Sequence, residues 1–465
     1  MDNKNITVDK IVNICESIVI SRGTEPTIKK FCCDTRLIKE NDMFVSLKSE
    51  GNNNIQYVKE AFEKGAIGCI TENDIPSEIL EKNREKTVIK VKDVVKAIQE
   101  IAIYKRSLFN IPVIAITGSV GKTSTKDMIA SVLKEKYNVS KTQGNYNNHI
   151  GVPLTILNWE ENTEAAVVEM GMNHLGEIEK LTEIAKPTIA VITNIGTAHI
   201  GNLGTRENIL KAKLEILKGL NESGRIVINN DNDLLHNCDT RKYKKITYGI
   251  NNESNYVAQD IIMNQSNSEY IIKIDENKYK IKVPVSGEHF IYNSLCAISI
   301  GRELGIEIEK IINGINGFEL TGNRNEIKQI NDLIIINDFY NASYDSMKAS
   351  LEVLARMSAK RKVAILGDML ELGEYSENLH RKVGEEVVKN KVDILLTIGE
   401  NSRAIADEAK KQGMKEVYEF NTKEECINKI YEIIKKEDCV LLKASNGMKF
   451  GEISNYLQGD KLWKN

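Results

Sequence analysis

The 465-residue sequence has no excess of charge of either sign. Its 63 Lys and Arg stand against 66 Asp and Glu, a formal net charge of -3. Such a balance removes the electrostatic reason to expect nucleic acid or an anionic membrane as partner. No apolar run approaches the ~20 residues that a membrane span needs. The opening Met1-Asp-Asn-Lys-Asn5 carries no apolar signal segment, so a cytoplasmic chain that does not insert into membranes is expected. The eight cysteines (Cys15, Cys32, Cys33, Cys69, Cys238, Cys296, Cys426 and Cys439) form no C-x-x-C and no Cys/His cluster. That argues against zinc and against a disulfide framework, and the thiols read as buried small hydrophobes in a reducing compartment. Internal repeats and low-complexity tracts are absent too, which leaves a globular chain of about two to four domains.

What is present centres on Val113-Ile-Ala-Ile-Thr-Gly-Ser-Val-Gly-Lys-Thr-Ser-Thr-Lys126. An apolar strand runs into a glycine-bounded turn, and a helical pattern through Met128, Ile129, Val132 and Leu133 follows. Gly118, Ser119, Val120, Gly121, Lys122, Thr123 and Ser124 then form a phosphate cradle. Amides at the helix start face an anion that the helix dipole also favours. Lys122 reaches the β/γ-phosphates, and the Thr123 hydroxyl suits Mg²⁺. Ile116 occupies the place of the first glycine of the longer G-x-x-x-x-G-K-[ST] form, so the loop reads G-x-x-G-K-T. The expected ligand is ATP or a similar triphosphate.

Residues 1–90 alternate short strands with helices and read as a small α/β domain. Within them Asp34-Thr-Arg36 is either a substrate contact or a surface turn with an ion pair. Residues 91–322 hold the phosphate loop. Glu169 ends a buried strand there and is either a Mg²⁺ ligand or a helix cap. His199 follows the next strand and is either a ligand or a satisfied core residue. Lys211 and Lys213, taken alone, read as solvated charges. Gly144-Asn-Tyr-Asn-Asn-His-Ile-Gly151 is too rich in amides for core and suits substrate binding. Residues 245–284 alternate apolar and polar and are expected to be antiparallel strands. Residues 323–465 alternate strands and helices in a second doubly wound domain, whose strand ends carry Asp338, Asp368, Glu371 and Lys443.

Taken together, Thr117-Gly-Ser-Val-Gly-Lys-Thr123, Gly144–His149, Glu169-Met-Gly-Met-Asn-His174, Ala198-His199, Ala212-Lys213, Gly287-Glu-His289 with Asn293, and Asp338-Phe-Tyr-Asn-Ala342 resemble the Mur ligase family, in its order. Leu320-Thr-Gly-Asn-Arg-Asn-Glu-Ile327 and Leu366-Gly-Asp-Met-Leu-Glu-Leu-Gly373 look most like its MurF branch. The resemblance implies three α/β domains: 1–90 for a UDP-linked acceptor, 91–322 with a P-loop ATPase-like parallel sheet, and 323–465 with a Rossmann-like fold. It implies ATP-dependent amide-bond formation through an acyl phosphate, joining a UDP-linked muramoyl peptide to a dipeptide amine in a monomeric enzyme. By motif match Glu169, His199 and Lys213 resemble the metal ligands, with Lys213 carbamylated. Asn293, Arg324, Asp338, Tyr340 and Asn341 match positions that meet the nucleotide. Some substrate-facing stretches depart from the pattern, at Ser49, Asn53, Asn54, Ile55, Tyr344 and Asn446. That drift also fits a paralogue joining another acid and amine, and a nucleotide-operated switch is the reading from another class.

Overall fold

A computed structural model describes residues 4–24, 27–48, 54–240 and 242–459. The chain builds three separate sheets, of five, nine and six strands, one after another along the sequence. The first orders its strands Ser17–Ser21, Thr87–Val91, Gly68–Thr71, Met43–Val45 and Phe31–Cys32. Only Ser17–Ser21 runs antiparallel to its neighbour. Its outward residues Ile18 and Ile20 are exposed.

Helix Val94–Ser107 leads from the first sheet to the second, and Asp93 caps it by accepting from the Lys96 amide at 2.9 Å. In the second sheet Val113–Thr117 lies between Ala165–Glu169 and Ile189–Ile192, all three parallel and buried throughout. Both faces are covered by helices, which is why these strands are continuous Val/Ile/Ala runs. The chain turns opposite ways from this central strand, so its carboxyl end opens at the point where the strand order reverses. Ligands collect at such a point in open α/β sheets.

The expectation of antiparallel strands over 245–284 needs correcting. Lys244–Gly249 pairs parallel with both neighbours, and only Tyr256–Met263, Ser268–Ile274 and Asn277–Val283 form an antiparallel meander. The apolar/polar alternation of 244–249 reports a strand covered on one face, and it says nothing about strand direction. The cysteine expectation also needs correcting: five thiols are buried, but Cys32, Cys33 and Cys238 are partly exposed.

The third sheet runs Glu326–Ile330, Leu333–Asn337, Asp438–Lys443, Arg361–Gly367, Ile394–Ile398 and Val417–Phe420. It is parallel apart from the first hairpin. Helices such as Tyr344–Arg356 and Ser376–Lys389 bury one apolar stripe each against it.

Candidate active site

The cradle is built by backbone. Gly118 leaves the central strand where a Cβ would overlap the Thr193 hydroxyl. Gly121 takes φ 82° immediately before helix Lys122–Leu133, a conformation other residues adopt at a cost. The loop is pinned from the neighbouring strand. Asn194 accepts from the Ser119 amide at 3.0 Å through its carbonyl and from the Val120 amide at 2.9 Å through its side chain. Ser119 in turn accepts from the Gly196 amide at 2.9 Å. Lys122 folds back so that its ammonium donates to the Gly118 carbonyl at 2.8 Å. Burial lowers its pKa, with Glu169 opposing that shift and Arg324 adding to it.

Facing the cradle, Glu169 ends its strand with only 2% of its surface exposed. One carboxylate oxygen accepts from the Asn147 amide nitrogen at 2.9 Å. The other is buried, and among the described residues no donor reaches it. A desolvated anionic oxygen without a partner is costly unless something positive or protic reaches it. Lys213, on helix Arg206–Leu214, is 1% exposed. Burial drives its pKa well below the ordinary lysine value, and the nearby Lys122 drives it further. Its neighbour Lys211 is exposed, as the residue type suggests. His199 takes a left-handed φ of 63° ahead of the short helix Ile200–Leu203.

One cavity of about 480 Å³ gathers Ser119 to Ser124, Glu169, His199, Asn293, Arg324, Asp338, Tyr340 and Asn341. Gly118 and Lys213 do not line it. The first lies in the strand-to-loop corner, and the second is enclosed in the wall. Asn293 accepts from the Thr125 hydroxyl at 2.8 Å while its amide nitrogen is buried without an acceptor. The Arg324 guanidinium lies over the Tyr340 ring, 3.5 Å from its centre. Asp338 accepts from Lys443 at 2.6 Å, from the Asn325 amide at 3.1 Å, and from Ser350.

Residue types alone pointed to Asn147 only as part of the amide-rich loop, and to Asn194 and His289 not at all. Asn194 and Asn147 arrange the loop and the Glu169 carboxylate. His289 stacks on Phe290 with ring centres 4.2 Å apart, and burial lowers its pKa to about 4. An amide immediately after an apolar strand, as at Asn194, is the signal that could have found the first of these.

Comparison with known proteins decides the family. The model of the Mur ligase middle domain matches residues 116–301, and that of the Mur ligase glutamate ligase domain matches residues 323–446. The UDP-N-acetylmuramoyl-tripeptide–D-alanyl-D-alanine ligase of Bacillus subtilis is 39% identical over 451 residues, 96% of this chain and 97% of that one. The chain belongs to the Mur ligase family. The ligase of the same name from Escherichia coli is 30% identical over 86% of this chain and 88% of its own. A crystal structure of MurF from Acinetobacter baumannii matches with a TM-score of 0.86 at 26% identity, covering 98% and 99% of the two chains. MurF from Thermotoga maritima, solved in complex with ADP, gives 0.80 at 27% identity over 94% and 98%. Within the family this Mur ligase groups with MurF, and it is an ATP-dependent carboxylate–amine ligase with three α/β domains.

The third domain of this Mur ligase touches the central one at the site itself. Asp345, in the first turn of Tyr344–Arg356, accepts from the Thr197 amide at 2.9 Å and from its hydroxyl at 3.0 Å. Thr321, between the two domains, donates to Asp127. His199 Nδ1 lies 2.8 Å from a Glu371 carboxylate oxygen. The approach is too oblique for a straight hydrogen bond.

The first domain is less settled as a site. Arg36 grips Asp34 with its guanidinium, Asp34 caps the turn Thr35–Leu37, and Arg36 holds the Asp34 carboxyl down to about 2. Neither residue lines the cavity. Asn145, Asn147 and Asn148 of the amide-rich loop do. Ser49 and Asn53 lie outside the described residues. Asn54 is buried and donates to the Leu47 carbonyl ahead of helix Ile55–Glu63. The departure at Tyr344 leaves a helix start intact: Ser343 caps Tyr344–Arg356 in a capping box with Ser346. Nothing in the structure explains Asn446.

Proposed function

We propose that this chain joins D-alanyl-D-alanine to UDP-N-acetylmuramoyl-tripeptide, with ATP consumed, in peptidoglycan synthesis. One arrangement carries the chemistry. A phosphate cradle and a buried carboxylate oxygen with no donor face each other across a cavity roofed by a second domain. The substrate pair rests on the names borne by relatives of nearly the same length. In this reading residues 1–90 hold the UDP-linked acceptor, 91–322 hold ATP, and 323–465 complete the nucleotide site. The enzyme works as a cytoplasmic monomer, and among the described residues no helix is long and apolar enough to cross a membrane.

A carboxylate resists amine attack because its charge is delocalised and oxide is a poor leaving group. Its oxygen takes the γ-phosphoryl of ATP and becomes an acyl phosphate. Lys122 and the amides at the start of its helix offset the charge on the phosphate oxygens during that transfer. A neutral amine then adds to the acyl carbon, the C–O bond to phosphate breaks, and the amine proton leaves to solvent. The remaining work is positioning and the exclusion of water, which the third domain supplies by packing on the loop that carries Thr197 and His199.

The donor set fits a divalent cation. Glu169 offers a free buried oxygen, Thr123 a hydroxyl and His199 an imidazole. Among the described residues no three His, Cys, Asp or Glu stand together, so protein carboxylates and imidazoles alone leave the set short. Lys213 fits the remaining role: its burial favours the uncharged amine, the form that adds CO₂, and its carbamate would supply oxygen. Mg²⁺ bound there supplies charge neutralisation at the transferred phosphoryl.

A phosphate-release assay tests the reading. Turnover is expected only when the UDP-muramoyl tripeptide and D-alanyl-D-alanine are both present. Equal turnover with an unrelated acid and amine would overturn the substrate assignment.

A further inference from the structure

His199 and Glu371 come from different domains. The first follows strand Ile189–Ile192 of the central sheet, and the second follows Arg361–Gly367 of the third. Both hold left-handed backbones, φ 63° and 64°. That conformation is strained for a non-glycine residue and persists where surroundings enforce it. The enforcing contact is backbone to backbone. The Gly201 amide donates to the Glu371 carbonyl at 3.2 Å, and a Cβ on Gly201 would come within 2.6 Å of that oxygen and 2.7 Å of the Gly373 nitrogen. The two turns therefore dock flush. Docking brings a Glu371 oxygen to 2.8 Å from His199 Nδ1.

This pair is no stability device. The Glu371 side chain is 53% exposed, and exposed pairs contribute little to stability. Its chemical consequence is larger. A carboxylate oxygen 2.8 Å from Nδ1 favours the tautomer that carries its proton there and leaves the lone pair on Nε2, even without a straight hydrogen bond. The same turn is held two residues earlier by Asp345, also from the third domain, through both polar groups of Thr197.

We propose that Glu371 is a positioning residue: it orients the His199 imidazole across the domain boundary, so that the cation site is complete only when the third domain is docked. The proposal rests on the metal role given to His199 above. It makes closure and cation binding one event, and it gives a reason for an exposed carboxylate to stand beside a ligand it never replaces.

The test uses the full chain with ADP and Mn²⁺ as probe, with free Mn²⁺ counted by its paramagnetic resonance signal. Glu371→Ala is expected to weaken Mn²⁺ binding about 10- to 100-fold. Glu371→Gln, which keeps an acceptor oxygen, should fall between Ala and the parent. In steady-state assays kcat should drop while the KM for the amine holds, with thermal midpoints unchanged. His199→Ala should weaken Mn²⁺ at least as much, and adding Glu371→Ala to it should change nothing further. Parental Mn²⁺ affinity in His199→Ala would remove the metal role and this proposal with it. Weakening in His199→Ala with parental affinity in Glu371→Ala would overturn the positioning role alone. So would additive losses in the double variant.

Discussion

The two walls of the cleft treat buried charge in opposite ways. On the central-domain wall, Lys213 is enclosed and faces another cation, Lys122, while among the described residues Glu169 keeps an oxygen without a donor and Asn293 an amide without an acceptor. On the third-domain wall, Lys443 is as deeply buried, yet it donates to Asp338 at 2.6 Å and to the carbonyls of Asp338 and Asn341 at 3.2 Å. Asp338 takes further bonds from Ser350 and Asn325. One wall leaves its buried charges open to a ligand at the expense of stability, and the other pairs its charges with each other, although there, among the described residues, Asn325 keeps a buried side-chain oxygen without a donor. Burial alone does not separate a working lysine from a scaffold lysine; partners do.

If that contrast is right, the walls break differently. Lys122→Ala should lower kcat about 10²–10³-fold and leave the thermal midpoint level or higher, because a desolvated cation with no carboxylate partner is lost. A midpoint drop of several degrees would blur the distinction. Lys443→Ala should do the reverse. It strands the Asp338 carboxylate, at a cost of about 3 kcal/mol to the third domain, measured by denaturant unfolding; a stability equal to the parent would show that the pair is dispensable. Lys213→Ala should abolish turnover, and short carboxylic acids should restore part of it by supplying the missing oxygen. Parental rates in that variant would contradict its place beside the cation.

A pH series sharpens the comparison. His289 is held neutral, its pKa lowered from 6.5 to about 4. The unfolded chain therefore binds the extra proton first as pH falls, and stability drops below pH 6.5 until the folded form also protonates near 4. About 2 kcal/mol should be lost between pH 8 and pH 5 through this residue, and His289→Phe should flatten that part of the profile. The smallest expected effect is at the join between domains. Thr321→Val removes one hydrogen bond to Asp127 and should cost about 1 kcal/mol, seen as a small shift in the unfolding midpoint.

The central wall was readable in the sequence because its main device is one continuous stretch acting through backbone. Val113–Ser124 shows itself through its own glycines and the start of its own helix, although Asn194 also pins the loop from the neighbouring strand. Lys213 was not readable from residue type. Arg206–Leu214 carries its apolar residues Ile209, Leu210, Ala212 and Leu214 interleaved with lysines, so residue type does not show that position 213 turns inward while 211 faces water; only the family pattern singled it out. Edge strands Glu326–Ile330 and Val417–Phe420 are short and have no buried residue, so no apolar run marks them. Glu371 stood at a strand end in the sequence, but its partner lies on another domain, and no spacing along the chain brings the two together.

The central claim is that ATP is spent on converting the acceptor's carboxylate into an acyl phosphate that the amine displaces. Synthesis of the acceptor with ¹⁸O in that carboxylate, followed by one round of ligation, tests it most directly. The account predicts that the released inorganic phosphate carries one ¹⁸O, transferred through the broken C–O bond. Phosphate free of label, with the amide formed all the same, would contradict it.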